Sequence, residues 1–178
     1  MKKKKIVLGI TGSIAAFKTP EIVRILKKKG FDVACVLTPA ASQFVTPFVL
    51  SALSGEKAVS DMFDPDAAHI SHLKMAEEAD LFLIAPASAA TLARCAQGIA
   101  EDMVSVVYLA TKAPVLKAPA MHDTMWNHPA TQKNVEILKE RGAKFVGPIE
   151  GDLADGSSGP GRMSDVNEIV RMAERIVS

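Results

Sequence analysis

The sequence predicts an α/β fold of three layers, in which helices cover both faces of a parallel β-sheet. Short apolar runs alternate with segments of helical length and helical periodicity along the whole chain. The 178 residues are 48% hydrophobic but only 5% aromatic, so the core is expected to consist mainly of aliphatic side chains. A chain of this length without a low-complexity linker fits one domain, residues 1–178.

A strand, a helix and a second strand are predicted at the start of the chain. Residues 5–9 form a short apolar run, and residues 14–29 carry apolar side chains at helical spacing, with lysines toward the end. Gly30 is expected to end this helix, because glycine readily adopts the left-handed conformation that follows helices. Residues 31–37 form the second apolar run, which ends at Thr38 and a proline.

The rest of the chain repeats this alternation. Residues 54–71 have an irregular pattern, and residues 151–161 are rich in glycine. The further strands are predicted at residues 81–85, 115–118 and 144–146. The further helices are predicted at residues 40–53 with an interruption at Pro47, residues 71–79, residues 89 to about 112 with a break at Gly98, residues 129–141 and residues 165–177.

Strands that are separated by helices pair in parallel through right-handed crossovers, so their carboxyl ends lie at one edge of the sheet. Ligands of such sheets bind beyond that edge. Four candidate loops follow predicted strands there: residues 11–13, residue 38, residues 86–88 and residues 119–126. Their agreement is stronger evidence for a ligand site than any one of the loops.

Charge and composition exclude several classes of function. Lysines and arginines number 21 against 20 acidic residues, so the net charge of +1 offers no bulk attraction to nucleic acid or membrane. No apolar stretch approaches the ~20 residues of a membrane helix, and no apolar signal region follows the basic start. Cys35 and Cys95 lie far apart without metal-ligand spacing, so a reduced, cytoplasmic protein without a metal site is expected.

Residues 11–13 (Thr-Gly-Ser) are a candidate phosphate site. Gly12 lets backbone N–H groups approach an anion, and the start of the following helix adds positive potential. The surrounding sequence matches neither the dinucleotide fingerprint nor the P-loop, which favours one phosphate and a mononucleotide such as FMN. Ser88 and Thr91 lie at another strand-to-helix turn and can serve the same phosphate. The alternative for either loop is an ordinary helix cap.

Residues 119–126 (Pro-Ala-Met-His-Asp-Thr-Met-Trp) place two methionines, a histidine and the only tryptophan in a turn before the helix that Pro129 opens. Soft, flat, apolar groups beside a single polar anchor suit a flat aromatic ligand with an anionic substrate next to it. The alternative is a well-packed loop.

From Lys5 to about Met163 the chain resembles the phosphopantothenoylcysteine decarboxylase family, the flavin-dependent cysteine decarboxylases. It is most similar to the N-terminal half of the bacterial bifunctional members. The resemblance implies a Rossmann-like (flavodoxin-like) fold, FMN as the cofactor, and a homotrimer that binds FMN between subunits and assembles into a dodecamer in bifunctional members. The six matching segments, in the order of the family's motifs, are residues 9–16, 69–71, 84–89, 98–102, 118–126 and 159–163.

The resemblance also implies a reaction, the decarboxylation of 4'-phosphopantothenoylcysteine to 4'-phosphopantetheine in coenzyme A biosynthesis. FMN oxidises the carbon that bears sulfur, and the resulting thioaldehyde accepts the electrons when carbon dioxide leaves. His69, in a His-x-Ser segment, would be the base or the thiol-orienting group, and His122 would contact the substrate carboxylate or amide. The implied FMN contacts are Gly12, Ser13, Ile14, Thr38, Phe44, Pro86, Ser88, Ala89, Thr91, Ala120 and Met121.

Three positions depart from the family's pattern. His122 and Ala90 stand where relatives carry asparagine, and Asp155 stands where they carry a cysteine in the loop that covers the substrate. The acid Asp155 can protonate a carbon but does not copy the polarity of a thiol. The final reduction is therefore the step that the sequence supports least.

Two other functions stay open at this point. One is oxidative decarboxylation of a peptidyl C-terminal cysteine to an enethiol, by enzymes that also lack the cysteine of the covering loop. Residues 159–163 (Gly-Pro-Gly-Arg-Met) favour the coenzyme A pathway over this alternative. The other is a non-catalytic flavoprotein subunit with a regulatory role; such proteins usually carry acidic or low-complexity tails, and the sequence contains none.

Overall fold

The computed structural model of the chain describes residues 3–63 and 71–178, with Ser71 described in its backbone only. Among these residues, five parallel strands form one sheet, in which the second strand along the chain lies at one edge and is followed by the first, third, fourth and fifth. Each lies where the apolar runs predict a strand. The strands are β1 (Lys5–Ile10), β2 (Asp32–Leu37), β3 (Leu81–Ala87), β4 (Val115–Pro119) and β5 (Lys144–Phe145).

Helices cover both faces of this sheet. Ile6 and Leu8 of β1 pack into one apolar cluster and Val7 into the other, because successive strand residues point to opposite faces. Burial on both faces is the reason why these strands appear as continuous apolar runs. One face is covered by α1 (Thr19–Lys28), α2 (Pro47–Ser54) and α8 (Val166–Val177), and the other by α3 (Ser71–Glu78), α4 (Ala89–Gln97), α5 (Met103–Ala110) and α7 (Pro129–Glu140).

Two predicted helices are shorter than their apolar periodicity suggests. The helix expected at residues 14–29 is a 3₁₀ turn, Ile14–Lys18, followed by α1. Pro20 lies in the first turn of α1 and has no N–H group, so it cannot continue an α-helical ladder from the preceding turn. Pro47 divides residues 40–53 in the same way, since α2 begins there with Thr46 as its N-cap. The predicted break at Gly98 is confirmed by its left-handed conformation.

Three short elements lie where no regular structure is predicted. The Gly-rich stretch forms an antiparallel hairpin of β6 (Ile149–Asp152) and β7 (Ser158–Arg162). Glycine and proline give these strands no apolar alternation, so the sequence offers no strand signal. The third element is α6 (Asp123–Asn127), which is too short for helical periodicity. We call residues 153–157, which connect β6 and β7, the flap.

The loops at the carboxyl edge are joined by direct hydrogen bonds. The Thr11 hydroxyl donates to the Pro86 carbonyl at 2.7 Å and accepts from the Ser88 N–H at 2.9 Å, which ties the loop after β1 to the loop after β3. The Met121 N–H donates to the Gly161 carbonyl at 3.0 Å, which ties the loop after β4 to the hairpin. These bonds bring segments distant in sequence to one position.

None of the helices in the described part of the chain is long and apolar enough to cross a membrane.

Candidate functional site

A cavity of about 840 Å³ opens at the carboxyl edge between the loops after β1, β3 and β4 and the hairpin. It is lined by three of the four candidate loops, those after β1, β3 and β4, and by the hairpin with the flap. The predicted site residues in its lining are Gly12, Ser13, Ile14, Ser88, Ala89, Ala120, Met121, His122 and Asp155.

A smaller cavity of about 330 Å³ lies next to the first. Thr38 and Thr91, two further predicted site residues, line this smaller space. Gly12, Ser88 and Ala90 line both cavities and therefore form the boundary between them.

A glycine is required at position 12 because the loop after β2 passes close to its backbone. A Cβ atom at this position would lie 2.6 Å from the Cβ of Ala40, in the loop after β2. Thr11, directly before it, is completely buried and bonded to the loop after β3. Thr11 belongs to the predicted phosphate site at residues 11–13 but lines neither cavity, because its hydroxyl joins the loops after β1 and β3.

The two predicted phosphate loops do contain the helix caps that were the alternative interpretation. The Ser88 hydroxyl accepts from the Thr91 N–H at 3.3 Å, and the Ser13 hydroxyl accepts from the Ala15 N–H at 3.4 Å. Capping does not exclude anion binding, because a cap side chain satisfies only part of the free N–H groups of a first helical turn.

Two predicted site residues line neither of the two cavities. Phe44 lines neither cavity and exposes 44% of its surface. Pro86 is buried beneath the site, where its carbonyl accepts the hydrogen bond from Thr11. His69, the predicted base, lies outside the described residues. The roles assigned to these residues stay predictions.

The two most unusual residues of the site are in contact with each other. His122 Nε2 lies 3.0 Å from Asp155 Oδ2 across the mouth of the larger cavity. The other ring nitrogen, Nδ1, lies 2.8 Å from Asp123 Oδ1 and accepts from the Thr124 N–H at 3.3 Å. Both ring nitrogens of His122 are therefore engaged.

Asp155 is an anion in this arrangement. Its carboxylate accepts hydrogen bonds from the Ser157 hydroxyl at 2.7 Å and from the Ser157 N–H at 3.1 Å. These bonds, together with the bond to His122, lower the pKa of Asp155 to about 2. A carboxyl group with this pKa holds no proton at neutral pH, which weighs against Asp155 as a proton donor.

The cavity lining also includes two cationic side chains, Lys18 and Arg162, which were not among the predicted site residues. Lys18 lies on the same 3₁₀ turn as Ile14, and Arg162 belongs to the segment 159–163 that carries the family resemblance. Because both cations lie within or beside segments that were predicted at the site, this proximity in sequence could have predicted them. Positive side chains beside a largely apolar lining suit an anionic ligand.

A protein-family model described as Flavoprotein matches residues 1–178. The chain belongs to the flavoprotein family. The bifunctional coenzyme A biosynthesis protein CoaBC of Escherichia coli strain K12 is 48% identical to this flavoprotein over 171 residues, which cover 96% of the chain and 42% of that protein. The chain thus spans less than half the length of this curated relative.

Solved structures confirm the predicted fold of this flavoprotein. A PPC decarboxylase mutant complexed with pantothenoylaminoethenethiol superposes with a TM-score of 0.89 at 27% identity, covering 98% of each chain. The FMN-dependent cysteine decarboxylase SpaF superposes with a TM-score of 0.80 at 29% identity, covering 96% of this chain and 97% of that chain.

Proposed function

We propose that this flavoprotein catalyses the FMN-dependent decarboxylation of 4'-phosphopantothenoylcysteine to 4'-phosphopantetheine, a step of coenzyme A biosynthesis. The observation that carries the proposal is the convergence of the loops after β1, β3 and β4 with the hairpin around one cavity. The similarity to CoaBC over 96% of the chain and to the PPC decarboxylase structure supports this substrate class. We assign the activity to one domain, residues 1–178.

The donor groups at the carboxyl edge fit the phosphate of FMN. Ser13, Ser88 and Thr91 supply hydroxyl groups, and α4 begins beside them with first-turn N–H groups. Ile14 and Met121 supply apolar surface for the flavin ring. When bound, FMN supplies the acceptor and later the donor of an electron pair, which amino-acid side chains lack.

The chain's own side chains bind and orient the substrate. In this proposal His122 positions the carboxylate, and Lys18 and Arg162 provide positive charge for a substrate that carries both a phosphate and a carboxylate. His69 remains the predicted base or thiol-orienting group.

We infer that the protein is a homo-oligomer, with a trimer as the first candidate and a dodecamer as the larger one. Four large apolar side chains within residues 14–48 expose 44–81% of their surface, which a subunit interface would cover: Ile14, Phe17, Phe44 and Phe48. Ile14 and Phe17 also line the larger cavity, so an interface there would contribute to the site. The free, buried thiols of Cys35 and Cys95 support the expected cytoplasmic location.

The deciding experiment identifies the product that the FMN-loaded protein forms from 4'-phosphopantothenoylcysteine without oxygen. Release of carbon dioxide with a saturated thiol, identified by mass, supports the proposal. A persistent enethiol favours the second candidate, oxidative decarboxylation of a cysteine, which the similarity to SpaF and the acid at position 155 support. Absence of carbon dioxide release refutes both decarboxylase functions.

A further inference from the structure

We propose that Asp155 occupies the position of the substrate carboxylate on His122, so that the flap opens to admit the substrate and closes when carbon dioxide has left. This inference rests on the proposed function of the cavity, because it requires a substrate that carries a carboxylate.

The geometry leaves one binding position on the imidazole. Nδ1 of His122 faces Asp123 and Thr124 of its own loop, whereas Nε2 faces the flap and carries Asp155 at 3.0 Å. His122 is 38% exposed and Asp155 is 52% exposed, which places the pair between the cavity and solvent. A ligand carboxylate that enters the cavity therefore meets a ring nitrogen that already has an anionic partner.

Two carboxylates cannot share that position. Nε2 offers a single N–H group, and a charge-assisted hydrogen bond to one carboxylate uses it completely. Asp155 is ionised at neutral pH because its bonds to Ser157 and His122 lower its pKa, so it also repels a second anion. Binding of a substrate carboxylate to His122 thus requires Asp155 to leave.

The flap is built so that it can leave without disturbing the core. Its internal bonds, Leu153 N–H to the Ser157 carbonyl at 2.8 Å and Gly156 N–H to the Leu153 carbonyl at 3.1 Å, make it a self-contained turn. Within residues 3–63 and 71–178, His122 is the one polar partner of the flap outside the hairpin. The base of the hairpin stays attached through Met121 and Gly161.

Loss of the substrate carboxylate during the reaction then allows the flap to close. The bond between the carboxylate carbon and its neighbour breaks, its electron pair passes to the thioaldehyde to give an enethiolate, and carbon dioxide leaves as a neutral molecule. His122 loses its anionic ligand at that moment, and Asp155 then returns to its position 3.0 Å from Nε2. Closure of the flap encloses the enethiolate for its reduction, the step in which the family's cysteine takes part.

Binding of two unreactive ligands to the FMN-loaded protein tests this competition. The first ligand is the serine analogue of the substrate, with a hydroxyl in place of the thiol, and the second is the same molecule without its carboxylate. Asp155→Asn should bind the first ligand roughly tenfold or more tightly, because a charged competitor is removed, and should bind the second with little change. Asp152→Asn is the matched control, since it removes the same charge from the cavity lining without touching His122.

Hydrogen exchange of the flap amides in the parent protein provides the second measurement, which decides the matter even if the variant fails to fold. The first ligand should speed exchange in residues 153–157, and the second should slow it. An equal response of the flap to both ligands, or an equal gain in affinity with Asp152→Asn, overturns the competition and leaves the proposed function standing. Failure of the parent to bind either ligand refutes the proposed function itself.

Discussion

Lys117 is a lysine that is buried in a mainly apolar core. It is completely buried on β4, and its ammonium group lies 4.2 Å from the centroid of the Tyr108 ring. The Cys95 thiol lies beside it, but no atom of the described residues is placed to accept a full hydrogen bond from Nζ. Burial lowers the pKa of Lys117, an effect that the thiol only partly opposes.

We expect Lys117→Met to stabilise the protein. Methionine keeps the aliphatic stem of lysine and removes the cost of an unpaired buried ammonium group, a gain of about 1–3 kcal/mol at pH 7. The folded-state pKa lies below the ordinary lysine value, so the unfolded chain binds more protons and the parent gains stability as pH rises through that interval. The advantage of methionine should therefore shrink toward high pH.

Urea unfolding at several pH values measures this effect, with the exposed Lys112→Met as the control. Destabilisation by Lys117→Met would show that the ammonium group has a stabilising partner.

Substitutions of Ser13 test the proposed cofactor site. Ser13→Asp places a negative charge where we propose the FMN phosphate, so the purified variant should lack the flavin absorbance of the parent. Ser13→Ala removes the cap and the hydroxyl without adding charge, and it should retain part of the flavin. Equal flavin content in the aspartate variant and the parent would place the phosphate elsewhere.

Lys18 should matter for substrate binding through its charge. Lys18→Met keeps the stem that lines the cavity and removes the cation, so the preference for the phosphorylated over the dephosphorylated substrate should fall roughly tenfold if it pairs with the phosphate. The ratio of kcat/KM for the two substrates measures this preference. An unchanged ratio would assign the charge of Lys18 to another part of the ligand.

At the scale of elements, the hairpin and the loop after β4 act as one unit. A side-chain carbon at Gly161 would clash with the carbonyl oxygen of Met121, and one at Gly159 would lie 2.9 Å from the Cβ of Asp123. This close backbone contact holds β7 against the segment that presents His122. The hairpin lies outside the five-stranded sheet, so its position can change while the sheet remains intact.

Gly161→Ala should therefore separate activity from stability. We expect a loss of more than tenfold in kcat/KM, because the hairpin is displaced from His122, with a change in Tm of only a few degrees. Gly142→Ala is the control, since Gly142 also has a positive φ but a Cβ atom added there would meet no neighbouring atom within 4 Å, and Gly142 lies just after α7. A similar loss of activity in both variants would indicate backbone strain as the common cause.

At the scale of the whole molecule, the proposed assembly connects the exposed apolar side chains with the site. His69 is predicted to act on a cavity that is otherwise lined by the loops after β1, β3 and β4 and by the hairpin. If subunits share the site, one chain can supply His69 and its neighbour His122.

Mixing two inactive variants tests this arrangement. His69→Asn and His122→Ala proteins, unfolded together and reassembled in equal amounts, should regain about a quarter of the parent activity, because a quarter of the interfaces combine two intact residues. Light scattering would verify that trimers have formed. Absence of recovery in trimers that contain both chains would place both histidines in one subunit's site.

The periodicity of apolar residues was sufficient to predict the five strands of the sheet, the helices between them and the edge at which the larger cavity opens. These features follow from local sequence, because strands such as β1 are buried on both faces and must be apolar throughout. The loop motifs at Gly12, Ser88 and His122 were also visible, since the residue types that bind phosphates and flat ligands stand directly at strand ends.

Other features depend on contacts between distant segments. The His122–Asp155 pair joins residues 33 positions apart, and the apolar pattern around Lys117 gives no sign that its charge lies between Cys95 and Tyr108. The hairpin could not be predicted because Gly151 and its neighbours have no alternation of apolar residues, and its position depends on a fit to the Met121 backbone. Periodicity reports which face of an element is buried, whereas such contacts arise only when loop closure brings the segments together.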